Sequence, residues 1–241
     1  MRIYLSPSNQ SANKYCVGNT NEKVQCEAIA SKVKTMLEND YNAEGIMATL
    51  SLGINKNERP LECKNKGCGF YLAIHTNAGS PTASGAVGLY HPKSPQSKTF
   101  AENAVKELGS VCSIKSNRAT PVQSGMNAFD GVGYGEVRSP MEHGVPSCLL
   151  EIDFHDNAKT TQWIIENHDV IAGAIVKALV STFGISKKSA SVPIPETPPQ
   201  TPVTPQKLYR VQVGAYAVRA NAEAMLAKLK SAGYDAFITQ S

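Results

Sequence analysis

The chain has 241 residues, of which 41% are hydrophobic and 18% are charged. This composition excludes a disordered or fibrous protein. The sequence contains no run of about eighteen apolar residues, so no membrane span is predicted. Residues 1–184 carry 17 basic and 17 acidic side chains, whereas residues 185–241 carry 7 and 3. A mildly basic end suits an anionic polymer, but the dense basic patch with interleaved aromatics that marks a nucleic-acid binder is missing.

The first part of the chain alternates predicted strands and helices. A strand is predicted in RIYLS, and apolar residues at helical spacing predict a long helix that begins at Glu22, in EKVQCEAIASKVKTMLEN. Two further strands are predicted in GIMATLSL and GFYLAIH, with a short helix and turn between them in NERPLECKNKG.

The alternation continues with a strand in AVGLYH, a helix in SKTFAENAVKELGSV and a buried strand in SCLLEIDF. One or two closing helices are predicted in TTQWIIENHDVIAGAIVKALVSTF. The pattern predicts an α/β fold with a mostly parallel twisted sheet flanked by helices. In such sheets the chemistry collects at the carboxyl ends of the strands.

The proline-rich stretch SKKSASVPIPETPPQTPVTPQK predicts an extended linker, whose bounds are placed at residues 185–206. It separates a first domain, residues 1–184, from a small α+β segment, residues 207–241. In that segment LYRVQVGAY, RANAEAMLAKLKSAG and YDAFITQ predict strand, helix and strand.

The opening residues, MRIYLSPSNQ, lack the features of a secretory signal peptide, so we expect synthesis in the cytoplasm. In that compartment the six cysteines are expected to be reduced and structural. Cys63 and Cys68 lie five residues apart, which leaves a disulfide or a metal clip open for this pair.

Three polar residues lie where a cleft is expected. Glu22 opens the first long helix, His75 ends the strand GFYLAIH, and Glu151 lies within the apolar strand SCLLEIDF. A carboxylate in an apolar strand is costly unless it is ion-paired in the core or has a chemical role. By itself, a glutamate at the position of Glu22 is explained by the favourable interaction of a carboxylate with the helix dipole. A histidine at the position of His75 is, by itself, explained by packing. Together, a carboxylate and an imidazole suit zinc, and a further carboxylate suits the general base of a hydrolase.

The ordered segments GNTNEKVQCEAIA, AIHTNAG and PSCLLEIDFHDN resemble the zinc-dependent N-acetylmuramoyl-L-alanine amidases, a family of autolysins, phage endolysins and spore cortex enzymes. The resemblance implies that Glu22 and His75 bind Zn²⁺ as cofactor and that Glu151 is the catalytic glutamate. It also implies hydrolysis of the amide bond between N-acetylmuramic acid and L-alanine in peptidoglycan. Zinc would polarise the amide carbonyl while Glu151 moves the proton.

The chain departs from this family at the first zinc ligand. The family has a histidine in a GHGG-like turn after the first strand, whereas LSPSNQ places Asn9 or Gln10 near that position. A neutral amide is a poorer zinc ligand than imidazole.

His155, in EIDFHDN, is a candidate replacement because Glu151, Asp153 and His155 would share one face of an extended strand. The predicted ligand set is then Glu22, His75 and His155. Completion of the site by Gln10 or Asn9, or by water with His155 in a supporting role, remains open. Glu136 and Arg138 are candidates for binding wall-peptide charge in the groove.

The stretch YRVQVGAYAVRANAEAMLAKLKSAGYDAFI resembles the first half of a SPOR domain, a peptidoglycan-binding module. Because the chain stops there, either the sequence is truncated or this half pairs with a second copy, which would make a dimer. The expected partner is peptidoglycan, and the expected setting is a phage endolysin or an enzyme of lysing or sporulating cells. The alternatives are a catalytically degenerate wall-binding protein and a zinc peptidase of the stem peptide.

Overall fold

The computed structural model describes residues 1–50, 57–188, 214–231, 234 and 236–238. By its internal contacts the chain divides into two units, Met1–Ser191 and Val192–Ser241. The candidate site lies entirely in the first unit.

The first unit is built on a six-stranded sheet in the order β2-β1-β3-β6-β4-β5. The strands are β1 (Arg2–Pro7), β2 (Glu44–Met47), β3 (Phe70–Asn77), β4 (Val87–Tyr90), β5 (Val122–Ser124) and β6 (Ser147–Phe154). Four of these, β2, β1, β3 and β6, pair in parallel. β4 pairs antiparallel to β6, and β5 pairs parallel to β4. The predicted α/β fold with a mostly parallel sheet is confirmed.

Helices precede or follow most strands. They are α1 (Glu22–Asp40), α2 (Glu58–Asn65), α3 (Pro95–Val111), α4 (Gly135–Glu142), α5 (Ala158–Glu166), α6 (His168–Phe183) and, in the second unit, α7 (Arg219–Ser231). The closing helical stretch is thus two helices, separated at Asn167. The strands predicted on either side of α7, residues 208–216 and 234–240, lie largely outside the described residues.

Two short elements, β5 and α4, were not predicted from the sequence. β5 has only three residues, too few for an alternating pattern. α4 begins at Gly135 and contains Pro140, and both residue types are poor helix formers. Packing against the sheet therefore overrides a weak local preference, and α4 carries a residue that proves central to the site.

The sheet is covered on both faces, which explains why the sequences of its strands are nearly continuous apolar runs. Side chains of one parity along β3, such as Phe70 and Leu72, pack with α1, α3, α5 and α6. Those of the other parity, such as Tyr71 and Ala73, lie in a second cluster with residues of α2 and α4. The fold therefore has three layers, with the sheet in the middle.

α1 is fixed at its start by a side-chain cap. The Asn21 side chain accepts a hydrogen bond from Val24 N at 3.1 Å, which satisfies one of the free amides of the first turn. The apolar face of α1 is buried against the sheet through Cys26, Ile29, Ala30, Val33 and Leu37. The cap and this face together hold Glu22, the first residue of the helix, over the carboxyl edge of the sheet.

The first unit continues a few residues past Gly184. Ile185 is buried in the core, and Lys187 forms a β-bridge with Tyr41. Lys188 N donates to Asp40 O at 2.9 Å. Residues up to 188 thus pack on the end of α1.

All six cysteines are free thiols. In the pair considered for a disulfide or a metal clip, Cys68 N donates to Cys63 O at 3.1 Å. Across the described ranges, no helix is both long enough and apolar enough to cross a bilayer.

Gly88 of β4 lies against Ala101 of α3 and gives a test of the packing. A Cβ at this position would lie 2.7 Å from Ala101 Cβ and 3.1 Å from Ala101 Cα. We expect Gly88→Ala to lower the free energy of unfolding by about 1–3 kcal/mol, because a helix backbone must move. Gly173→Ala, whose Cβ meets nothing within 4 Å, is the control and should raise it by about 1 kcal/mol. Urea denaturation measures both, and equal effects would contradict this account.

Candidate functional site

The candidate site lies where the carboxyl ends of the parallel strands meet, the edge at which such sheets bind ligands. In the register of the sheet, His75 of β3 is the direct neighbour of Glu151 of β6. Glu22 reaches the same edge from the start of α1, and its carboxylate contacts His75. The three residues singled out from the sequence are therefore brought together by the fold.

His75 is buried between two carboxylates. Its Nδ1 lies 2.9 Å from Glu22 Oε1, and its Nε2 lies 2.8 Å from Glu136 Oε2. Burial by itself opposes the charged imidazolium, but the hydrogen bonds to Glu136 and Glu22, with the charges of Glu136 and Glu151, raise the pKa of His75 to about 10. His75 thus lies between two hydrogen-bonding carboxylates that favour its charged form.

Glu22 is held in its ionised form by several donors. Asn13 Nδ2 donates to Glu22 Oε2 at 2.6 Å, and Thr76 N lies 3.4 Å from Glu22 Oε1. Burial raises the pKa of this carboxyl, but the bonds from His75, Asn13 and Ser8 lower it below its ordinary value. Asn13 and Ser8 were not predicted, because neither lies in a recognisable motif.

Glu136 was predicted to line the groove, but the structure places it beneath His75 at only 6% exposure. Its Oε1 accepts hydrogen bonds from Ser6 Oγ at 2.6 Å and from Tyr71 Oη at 2.8 Å. Burial raises the pKa of Glu136, but His75, Ser6 and Tyr71 outweigh it and lower the pKa. The first turn of α4 points Glu136 inward, a direction that the local sequence could not reveal.

Arg138 was also predicted to bind charge in the groove. Its Nη1 donates to Val132 O at 3.1 Å, and it pairs with Glu142 one helical turn along α4. It is absent from the residues that line the cavity beside Glu151. These contacts give Arg138 a role in holding the loop before α4.

Glu151 differs from the other two carboxylates. Its Oε2 atom is buried and has no hydrogen-bond partner among the described residues. Burial, followed by the nearby charges of Glu22 and Glu136, raises its pKa to about 7, although His75 opposes the shift. A carboxyl with such a pKa can take up and release a proton near neutral pH.

His155 is not brought to Glu22 and His75, contrary to the ligand set predicted from the sequence. Its Nδ1 lies 3.0 Å from Thr76 Oγ1, and its ring stacks on Tyr15 with centroids 5.6 Å apart. Thr76 follows His75 in β3, so its side chain points to the opposite face of the sheet. His155 therefore lies on the α1 side, away from the imidazole of His75.

A β-bulge explains why the alternation argument failed for His155. Between His75 and Asn77, β3 advances two residues, whereas β6 advances three, from Glu151 to Phe154. The extra residue reverses the alternation of side chains beyond Glu151. A bulge of this kind leaves no reliable mark in a single sequence.

Of the two amides considered for the first ligand position, Gln10 reaches His75. Gln10 Nε2 lies 3.5 Å from His75 Nδ1, and Gln10 Oε1 accepts a hydrogen bond from Asn13 Nδ2 at 3.2 Å. In the part of the chain that the structure describes, no group of three or more His, Cys, Asp or Glu side chains is placed to hold a metal ion.

A cavity of about 470 Å³ opens beside Glu151. It is bounded by the loop after β3, by β4, by the segment before β5 and by the end of β6. Polar and charged side chains in its wall include Asn77, Ser80, Arg118, Gln123, Tyr134 and Glu151. The carboxyl of Glu151 thus lies at the wall of a space large enough for a peptide.

Comparison with known proteins finds relatives of this chain and solved structures of similar fold. The chain is 24% identical to the sporulation-specific N-acetylmuramoyl-L-alanine amidase of Bacillus subtilis, in an alignment that covers 99% of this chain and 84% of that protein. The catalytic domain of CwlV, an amidase from Bacillus (Paenibacillus) polymyxa, superposes with a TM-score of 0.62 at 16% identity and covers 77% of this chain and 99% of that one. An amidase from Clostridium difficile superposes with a TM-score of 0.61 at 20% identity, covering 75% and 95%.

Two family models match the chain. The SPOR domain model matches residues 205–241. The Amidase_3 model, described as N-acetylmuramoyl-L-alanine amidase, matches residues 4–181, which is well over half of the chain and includes the whole candidate site. The chain therefore belongs to the N-acetylmuramoyl-L-alanine amidase family.

Proposed function

We propose that Glu151 is the general base with which this chain hydrolyses the amide bond between N-acetylmuramic acid and L-alanine in peptidoglycan, the reaction of its family. The observation that carries the proposal is the unpartnered, buried Oε2 of Glu151 at the wall of the cavity. A buried carboxylate oxygen without a donor is costly in a purely structural role. A substrate water or amide that donates to this oxygen would remove that cost.

Glu151 would act twice in one turnover. It takes a proton from the water that attacks the amide carbonyl, and it then gives this proton to the leaving nitrogen of L-alanine. Its pKa of about 7 suits both steps, because the group is neither a very weak base nor a very weak acid. No serine or cysteine nucleophile is required.

A zinc ion at Glu22 and His75 is the second part of the proposal. The charges of the site support a cation: Glu22, Glu136 and Glu151 face a single imidazole, so the cluster is negative even when His75 and Glu151 are both protonated. Uncompensated buried charge is strongly unfavourable, and a divalent cation would neutralise it. Carboxylate oxygen and imidazole nitrogen are also donors that zinc accepts.

Glu136 would orient His75 for this role. The hydrogen bond from His75 Nε2 to Glu136 keeps the N–H proton of the neutral imidazole on Nε2. The other ring nitrogen, Nδ1, lies on the side of Glu22 and is then free to bind the metal. Gln10 is the candidate for the third donor, through its amide oxygen, since the oxygen and nitrogen of an amide can be exchanged by a flip of the side chain. When bound, zinc supplies a Lewis acid that polarises the amide carbonyl.

Replacement of Glu151 tests the general base. Glu151→Gln keeps the size of the side chain but not its basicity, so the rate should fall by about 100-fold or more, with the fold retained. Glu102→Gln, at an exposed position of α3, is the control and should leave the rate unchanged. Mass spectrometry of digested peptidoglycan supplies the readout, because an amidase frees L-alanine N-termini and leaves the glycan intact. A stem-peptide peptidase would leave L-alanine on the muramic acid.

A second prediction concerns the third zinc donor. Gln10→Ala should weaken zinc binding by about 10-fold or more, whereas Asn9→Ala and His155→Ala should change it little. Competition with a chromophoric chelator measures the affinity of each purified variant. If His155→Ala loses zinc while Gln10→Ala keeps it, the third position belongs to His155.

We also propose that the SPOR-like segment, residues 207–241, attaches the enzyme to the wall. The match to the SPOR model and the basic excess of residues 185–241 support this role. A proline-rich tether would raise the local concentration of the amidase unit at an insoluble substrate. The proposal covers attachment by one such segment and attachment by two segments that pair in a dimer.

Truncation separates attachment from catalysis. A chain that ends at Lys188 keeps every described residue of the first unit, so it should hydrolyse soluble muramoyl peptides at an unchanged rate. Its binding to whole sacculi, measured by co-sedimentation, should fall. A chain that carries an unrelated domain of equal size after the linker is the control. Equal sedimentation with and without residues 207–241 would refute the attachment role.

A further inference from the structure

The cavity beside Glu151 has one negative and one positive side chain in its wall. Among the described residues that line it, only Glu151 and Arg118 carry a formal charge. Glu151 is assigned above to the amide that is cleaved. Arg118 has no role in that chemistry, and nothing in the local sequence, SNRAT, marks it as functional.

Arg118 is held in place without being neutralised. Its Nε and Nη2 donate to Asn117 Oδ1 at 3.2 and 2.5 Å, and its guanidinium lies 4.7 Å from the centroid of the Phe154 ring. Neither partner is an anion, and the described residues place no carboxylate within 4 Å of the guanidinium. Asp153 interacts with it only at longer range, because its Oδ1 accepts from Gly85 N and Phe154 N.

The two residues that hold Arg118, Asn117 and Phe154, are themselves fixed by their contacts. Asn117 Nδ2 donates to Thr82 O at 2.8 Å, and Asn117 Oδ1 also accepts from Ser84 N at 3.1 Å. Phe154 is buried at the end of β6. Nη1 of Arg118 makes no hydrogen bond to the described residues, so the planar group keeps donors for a ligand. A fixed guanidinium with free donors recognises carboxylates by paired hydrogen bonds.

The spacing fits a peptide that runs from Glu151 towards Arg118. Because of the bulge, the three residues from Glu151 to Phe154 advance along the sheet only as far as two residues of β3, which is about 7 Å. The guanidinium of Arg118 lies a further 4.7 Å from the centroid of the Phe154 ring. Two residues of an extended peptide span about 7 Å, and a hydrogen bond to the guanidinium adds about 3 Å. A carboxylate on the residue after the cleaved L-alanine would therefore reach Arg118.

We propose that Arg118 is a specificity residue that binds a free carboxylate on the peptide side of the substrate, at the residue following L-alanine. This inference rests on the proposed amidase function and deepens it. The bond between Arg118 and this carboxylate orients the substrate in the cavity, with the peptide over Phe154 and the sugar on the other side of Glu151. Substrates whose carboxylate is amidated are disfavoured, because a neutral amide forms weaker bonds to a guanidinium.

Two muramoyl peptides that differ in one group provide the test. One carries D-glutamate after L-alanine, and the other carries D-isoglutamine, in which the α-carboxylate is an amide. In both peptides the γ-carboxyl is joined to the same third residue, so only the α-group of the residue after L-alanine differs. Calorimetric titration of the full chain with Glu151→Gln measures binding without turnover. We expect the acid to bind about 10-fold or more tightly than the amide, and the same preference should appear in KM for the unaltered protein.

Arg118→Gln should bring the two peptides to within about 2-fold of each other, whereas Arg118→Lys should keep part of the preference. Arg2→Gln, at the opposite edge of the sheet, is the matched control and should keep all of it. An acid preference that survives Arg118→Gln, or its absence in the unaltered protein, would overturn the assignment. Acid-selective binding without hydrolysis would instead overturn the proposed reaction and leave the role of Arg118 intact.

Discussion

The site depends on a buried row of charges, Glu22, His75 and Glu136, at the carboxyl edge of the sheet. One imidazole is shared by two carboxylates, and the carboxyl of Glu151 lies beside them with its pKa raised. The low polarity of the surroundings makes each of these charges costly by itself. The cluster is therefore stable only as a unit that holds a proton, a cation or both, and this requirement links the fold to the chemistry.

The two helical layers supply opposite halves of this cluster. α1 delivers Glu22 from one face of the sheet, and its capped start fixes where the carboxylate lies. From the other face, α4 delivers Glu136, which Ser6 and Tyr71 hold through hydrogen bonds. His75 joins the two layers because it lies on the strand between them. Loss of either helix position would leave the imidazole with one partner.

Support for this arrangement extends deeper into the second face. Tyr71 stacks on Tyr4 with centroids 5.1 Å apart, so the hydroxyl that binds Glu136 is fixed by packing as well as by hydrogen bonds. Arg59 of α2 donates to Ser6 Oγ at 3.0 Å and to Pro7 O at 2.6 Å. These contacts fix the end of β1, and with it the turn that leads to Gln10.

The sequence by itself determined the α/β class, the long elements and the order of Glu22, His75 and Glu151, because strong periodicity and an isolated carboxylate in an apolar strand are local signals. Only the tertiary structure decided the partners: Glu136 lies 61 residues from His75 along the chain, and no local pattern couples them. The bulge after Glu151 likewise moved His155 away from the site, because one extra residue reverses the side-chain alternation. Local patterns fix which element forms, whereas contacts between distant residues fix which side chains meet.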